Sequence, residues 1–380
     1  MLKIPISLLL LLILAFSCTS VQPNQQVVID QLDLKFNSND IKLSNEAERY
    51  IESVVAIMKQ EALHKQDLNF DEIHQLIRYY ANGAQSQADT HQAIKKALPL
   101  LKDHHSSFLT AAQIHQYLGL TAQAIEEIKK GKAPHIDSSK VDSLKTALPY
   151  ASAKLISGNI GYLSVPAFDN LFSEAMTMFA DSLQTIIRQL DQQPINGWII
   201  DLRENDGGAA MPMITGLGPL LDDQNCYYTV DKQAKLLAKS YYKEGGYYDV
   251  EVEEQRAKKK VEPLVQSSIN YRIKKSSLPV ALLTSFKTAS SAEAVTAIFA
   301  GQANVKIIGS KTNGLTTTNS FKFLADNSAL NLTIGYYANR HQQVYKQGIA
   351  PDIELQRDTN PTEKLEEDPS MQMALDWIAQ

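Results

Sequence analysis

The sequence predicts an α/β fold preceded by a helical N-terminal region, on three observations. Residues 279–309 read as a strand, a serine-rich turn, a helix and a second strand. A further apolar run at 197–203 ends in Asp206-Gly207-Gly208. Residues 44–101 instead carry apolar side chains at three-and-four spacing, the signature of amphipathic helices. Short apolar strands alternating with a helix indicate a buried parallel sheet, whose chemistry gathers beyond the carboxyl ends of its strands.

At the N-terminus, Lys3 precedes an apolar run at 8–15 that is too short for a comfortable membrane span. It leads into Leu14-Ala15-Phe16-Ser17-Cys18, which resembles a bacterial lipobox, with Cys18 as the lipidated first residue of the mature chain. An ordinary signal peptide with a chance cysteine is the bland alternative. Residues 1–18 are thus expected to be a lipoprotein signal peptide and 19–40 a polar tether. Thr19-Ser20 offers no retention aspartate, which points to the outer membrane of a bacterial envelope.

In the helical region, 41–157, Ala47, Ile51, Val54, Val55 and Met58 form one stripe, and Ile73, Leu76, Ile77 and Tyr80 a second. Thr90 is placed to cap a third helix bearing Ala93, Ile94, Ala97, Leu98 and Leu101. A polar turn with His104-His105 interrupts the pattern, a helix-rich connector follows over 111–130, and 131–139 reads as loop. The α/β core spans 158–356. It has strands at 160–166 and 197–203, a long amphipathic helix over 172–190, and a helix over 212–221. Residues 227–271, rich in tyrosine and charge with weak periodicity, read as an excursion over the active face, and 330–336 as an antiparallel strand. Residues 357–380 form a C-terminal helical tail.

With 380 residues, 44% hydrophobic and 21% charged, the chain can bury a sizeable core. A formal net charge of -5 argues against nucleic-acid binding, because no basic excess exists to neutralise phosphates. The two cysteines, Cys18 and Cys226, cannot pair once the first is lipidated, and no Cys/His zinc spacing appears. No metal or organic cofactor is implied.

Ser290 sits where a nucleophile would be useful, after a parallel strand and at a helix N-terminus that favours developing negative charge. Glu293, three residues on, makes a plain capping box the competing reading. Gly207 and Gly208 could present bare amides to an oxyanion, each worth on the order of 3 kcal/mol, or could simply serve a tight turn. Of the 8 histidines, His105 lies in a compact turn between apolar segments, whereas His341 lies in a hairpin-like one. A serine needs such a base.

Four segments in this order resemble the S41 family of serine peptidases, the tail-specific and tricorn-core-like proteases. They are Lys102-Asp103-His104-His105-Ser106, Asp201-Leu202-Arg203-Glu204-Asn205-Asp206-Gly207-Gly208, Thr288-Ala289-Ser290-Ser291-Ala292-Glu293 and Gly348-Ile349-Ala350-Pro351-Asp352-Ile353. The resemblance implies a ClpP/crotonase-like core, Ser290 as nucleophile and His105 as general base. It also implies an oxyanion hole from the Ser291 amide with that of Gly207 or Gly208, and no cofactor.

Two departures stand out. The family's tail-processing branch uses a serine–lysine dyad, but Leu315 occupies that lysine's place and Lys311 is offset. The tricorn-like branch orients its histidine with a carboxylate near the Gly-x-x-Pro-Asp segment, where this chain has Tyr345, Lys346 and Gln347. The third triad member is therefore unassigned. The segment before the core is also too short and too helical for a PDZ domain.

The expected function is a lipid-anchored serine endopeptidase acting on envelope or imported polypeptides, with a peptide or unfolded protein as its partner. A catalytically inactive family member that binds peptides or proteins is the rival, and an esterase using the same acyl chemistry a third option. Oligomeric state is left open.

Overall fold

The computed structural model describes residues 41–131, 148–256, 260–355 and 367–380. The proposed signal peptide, Cys18, the tether and most of the 131–139 loop lie outside the described residues.

Among the described residues the first helices are α1 (Asn45–Glu61), α2 (Phe70–Tyr80) and α3 (His91–Ala97). Ser44 starts α1 by accepting from the Ala47 amide at 3.1 Å. Thr90 does not cap α3. Its backbone is already helical, continuing a 3-10 turn, and its hydroxyl donates to the Gln87 carbonyl at 2.6 Å. The apolar stripes of these helices share a core with Leu324, Leu330 and Leu332 of the later chain.

Next come β1 (Ser107–Leu109), α4 (Ala111–Leu118), α5 (Ala122–Lys129) and β2 (Ser152–Ile156). The stretch read from sequence as helical, 41–157, thus contains two strands. Then follow β3 (Ile160–Ser164), α6 (Ser173–Leu190), β4 (Gly197–Asp201) and α7 (Ala210–Leu217). Residues 227–271 are no irregular excursion. They build β5 (Tyr227–Val230), β6 (Leu236–Lys243), β7 (Gly246–Glu251), α8 (Val252–Arg256) and β8 (Val265–Gln266). The inward side chains here include Tyr227 and Tyr247, whose hydroxyls meet at 2.8 Å, so the apolar alternation is masked by buried tyrosine. The last elements are β9 (Val280–Thr284), α9 (Ser291–Phe299), β10 (Val305–Gly309), β11 (Thr317–Phe323), β12 (Ala329–Asn339), β13 (Val344–Tyr345), β14 (Ile353–Glu354) and α10 (Pro369–Ile378).

Two sheets result. One runs β14-β10-β9-β4-β3-β2 and is parallel except for the β2–β3 hairpin. Alternate residues of its central strands face opposite layers. Trp198, Ile200 and Leu282 pack in the main core with α6, α7 and α9, while Ile199, Ala281 and Leu283 pack against Met371 and Ala374 of α10. The other sheet, antiparallel, runs β1-β12-β5-β6-β7-β8, with β11 and β13 also on β12.

Helix α10 is therefore a structural layer of the core. Its N-cap, Asp368, also meets Arg203 Nη1 at 2.6 Å, and Asp201 accepts from Nη2 and Nε of that fully buried guanidinium at 2.7 and 3.0 Å. Removing one partner of a buried ion pair strands the other charge. Asp368→Ala is expected to lower the unfolding free energy by about 3 kcal/mol, read as an earlier urea midpoint. An unchanged midpoint would show that this ionic tie contributes nothing.

Candidate active site

The ends of β4 and β9 are neighbours, paired at Asp201 with Leu283, and the loops beyond them are stitched together. Thr288 Oγ1 donates to the Leu202 carbonyl at 2.9 Å and Ser285 Oγ to the Arg203 carbonyl at 2.6 Å. The Ala289 amide donates to the Asn205 carbonyl at 3.2 Å. These bonds deliver Ser290 to the top of the sheet, fully buried, with φ 54° and ψ -111°. That backbone is unfavourable for a residue with a side chain and persists only where its surroundings over-determine it.

Glu293 supplies much of that determination. Its Oε2 accepts from the Ser290 amide at 2.9 Å, while Oε1 accepts from the Thr312 hydroxyl at 2.5 Å and the Gly314 amide at 2.9 Å. The sequence offered a capping box or a nucleophile at this turn. The structure accommodates both, the Glu293 carboxylate holding the Ser290 amide as a capping box does and the serine hydroxyl lying 3.1 Å from His105 Nε2. Burial pushes the Glu293 carboxyl up to about 7 despite its donors.

His105 arrives from the other sheet. Asp103 folds the turn, its carboxylate accepting from the His105 amide at 3.1 Å and from the Ser106 amide at 2.6 Å. Two residues later β1 pairs with β12, Ser107 opposite Asn331. The imidazole is buried, and desolvation pushes it down to about 4. Its Nδ1 lies 2.7 Å from Thr317 Oγ1 of β11. Thr317 in turn lies 3.3 Å from Asn319 Oδ1, and Asn319 Nδ2 donates to the His105 carbonyl at 3.2 Å.

The two glycines differ. The Gly207 amide is engaged by Asn205 Oδ1 at 3.0 Å, so it is not available to an oxyanion. Neither the Gly208 nor the Ser291 amide has a hydrogen-bond acceptor among the described residues, and Ser291 Oγ ties the two segments by donating to the Gly208 carbonyl. Gly208 has φ 95°, and a Cβ there would stand 2.1 Å from the Phe168 carbonyl oxygen, so no other residue fits.

Other candidates stay apart. Lys311 is exposed and makes no hydrogen bond to Ser290. His341 is exposed and faces the Gly301 carbonyl at 3.4 Å. Tyr345 bonds Asn339 Nδ2 at 2.8 Å, away from the imidazole. Among the described residues no three His, Cys, Asp or Glu side chains group to hold a metal ion. Thr317 and Asn319 escaped sequence reasoning. The available signal was a strand whose buried positions are polar, Thr317-Thr318-Asn319-Ser320.

The sequence profile of peptidase family S41 matches residues 159–355. The chain belongs to peptidase family S41. This S41 chain is 33% identical over 230 residues to a nisin-resistance protein of Lactococcus lactis, covering 60% of this chain and 67% of that one. It is 25% identical over 232 residues to a carboxy-terminal processing protease of Bacillus subtilis, covering 60% of this chain but only 42% of that protein. Among solved structures, a lipoprotein from Streptococcus agalactiae superposes with a TM-score of 0.62 at 22% identity, over 89% of this chain and 98% of that one. The photosystem II D1 C-terminal processing protease superposes with a TM-score of 0.51 at 15% identity, over 84% and 95%. At these identities the two superpositions speak for the fold, the mixed α/β architecture of S41 proteases.

Two outcomes are expected at the serine turn of this S41 chain. Ser290→Gly should unfold at higher temperature than Ser290→Ala, because glycine relieves a strain of about 1 kcal/mol or more. Equal melting temperatures would mean the backbone is relaxed. Glu293→Gln sets an amide donor against the Ser290 amide or the Thr312–Gly314 donors, and should cost about 1–3 kcal/mol. Urea unfolding of the variant measures this directly.

Proposed function

We propose that this chain is a serine endopeptidase with Ser290 as nucleophile and His105 as general base. The observation that carries the reading is the 3.1 Å contact between Ser290 Oγ and His105 Nε2 beside two unengaged amides. In this mechanism Nε2 takes the hydroxyl proton as Oγ attacks a peptide carbonyl. The Gly208 and Ser291 amides receive the oxyanion, and the helix N-terminus behind Ser291 adds its partial positive charge. The imidazolium then returns its proton to the leaving amine. Water deacylates the enzyme by the same base. Relatives named as carboxy-terminal processing proteases support peptide-bond cleavage over ester chemistry.

The relative named for nisin resistance and the solved neighbour titled a lipoprotein support work at the cell envelope, on envelope or imported polypeptides. Attachment through a lipid on Cys18 follows from the Leu14-Ala15-Phe16-Ser17-Cys18 pattern. Cys18→Ala should abolish incorporation of labelled palmitate in a bacterial host. Persistent labelling would sink the anchor assignment.

That no carboxylate among the described residues bonds the His105 imidazole favours one rival, an inactive peptide-binding member. A fluorophosphonate probe separates the two. The wild type should label at Ser290 and turn over unfolded casein, Ser290→Ala should do neither, and His105→Ala should lose at least about 100-fold in rate. Lys311→Ala should retain full activity. No labelling of folded wild-type protein would favour the binding module, and an inactive Lys311→Ala with an active His105→Ala would overturn the choice of base.

A further inference from the structure

No carboxylate bonds the His105 imidazole among the described residues, the Asp103 carboxylate being on the backbone amide; what meets Nδ1 is the Thr317 hydroxyl, 2.7 Å away. We propose that Thr317 and Asn319 form an uncharged relay that fixes the proton of His105 on Nδ1, the task a carboxylate ordinarily performs beside a serine–histidine pair. The proposal rests on Ser290 and His105 acting as nucleophile and base, and it makes Thr317 and Asn319 positioning residues.

The direction of the relay follows from counting donors. Asn319 Nδ2 donates to the carbonyl of His105 itself at 3.2 Å, which turns Oδ1 toward Thr317 at 3.3 Å. The flipped amide would put its oxygen against that carbonyl oxygen. It would also turn its NH2 toward the hydroxyls of Thr317 and Thr333, the latter 3.2 Å from Oδ1. An amide oxygen only accepts, and a hydroxyl has one proton to give. The Thr317 proton therefore goes to Asn319, and its lone pair faces His105. Nδ1 must carry a hydrogen, and Nε2 is left bare toward Ser290 Oγ at 3.1 Å. Without Asn319, Thr317 is free to turn and donate to Nδ1, which would put the proton on the wrong nitrogen.

The ladder helps to set this geometry. Pairing of β11 with β12 slips between Thr318 and Asn319, leaving Ile334 as an extra residue on β12. Such bulges re-aim side chains beside active sites. Asp103, the acid nearest along the chain, is occupied otherwise. It accepts from two turn amides and the Ser106 hydroxyl, and it has the Thr333 hydroxyl 3.1 Å away.

An uncharged partner has a consequence that a carboxylate partner lacks. It orients imidazole without favouring imidazolium, so burial alone governs the protonation of the base, holding it down to about 4. Neutral imidazole is the working form, so activity is present above that value and is lost as pH falls through it.

The test combines fluorophosphonate labelling of the full chain between pH 4 and 8 with nitrogen NMR of the His105 imidazole, assigned against His105→Gln. The wild type should hold its rate down to about pH 5 and show the hydrogen on Nδ1. Thr317→Val should lose ~10-fold or more in rate with casein KM unchanged, and Thr317→Ser should recover most of it. Thr317→Asp should move the acid limb up by about one pH unit or more, since an adjacent opposite charge favours imidazolium. A Thr317→Val protein with wild-type rate and pH profile, or a wild-type hydrogen on Nε2, overturns the relay. Should wild type fail to label while its NMR spectrum still shows hydrogen on Nδ1, the relay stands and the peptidase reading falls. Poor folding of Thr317→Asp leaves the valine, serine and NMR arms decisive.

Discussion

One hydrogen bond joins the two sheets at the point where chemistry is proposed, Ser290 Oγ to His105 Nε2 at 3.1 Å. The serine belongs to the parallel sheet and the histidine to a turn leading into the antiparallel one. Neither sheet contains both. The relative placement of the sheets is therefore the constraint on which the site depends. It is maintained by a common core that takes Trp198 and Leu282 from one sheet and Tyr227, Phe321 and Tyr337 from the other. Close packing of this kind transmits small shifts, so a loosened core would be felt first as a stretched contact between hydroxyl and imidazole.

The electrostatics of the site are those of a buried hydroxyl and a buried imidazole. The imidazole is held neutral by burial, and the hydroxyl and amide behind it carry no net charge. In the proposed reaction the positive charge on imidazolium and the negative charge on the oxyanion would arise together and offset one another. That pairing is stronger where water is excluded. Glu293, whose carboxylate holds the serine turn, bonds backbone and Thr312 and leaves the hydroxyl alone. Its work is to hold an unfavourable backbone, and its oxygens bridge the start of α9 to the loop after β10.

Much of this architecture was legible in the sequence because it is local. The unit β9–α9–β10 shows as apolar runs around a helix, and the stripes of α1 and α2 show as three-and-four spacing. Where local signals were ambiguous, the reading failed for physical reasons. Thr90 looked like a cap, but a preceding 3-10 turn had already satisfied its surroundings. The tyrosine-rich strands β5–β7 hid their alternation, because their buried face uses paired hydroxyls in place of aliphatic groups. Strand β1 is only three residues long and exists because β12 pairs with it.

The candidate site divides along the same line. By itself the sequence determined the family, the serine at a strand-to-helix turn, the histidine in its Asp103 turn and the glycine pair, since each is a short motif whose chemistry is read within a few residues. Tertiary structure decided which glycine amide is left open, because Asn205 takes Gly207 and leaves Gly208. It also decided what stands behind the imidazole. Thr317 lies 212 residues from His105 along the chain, and nothing in the local pattern of β11 signals which donor it will meet. Only the pairing of β1 and β11 on opposite sides of β12 brings that hydroxyl to Nδ1, and hydrogen-bond partners across a sheet are set by register.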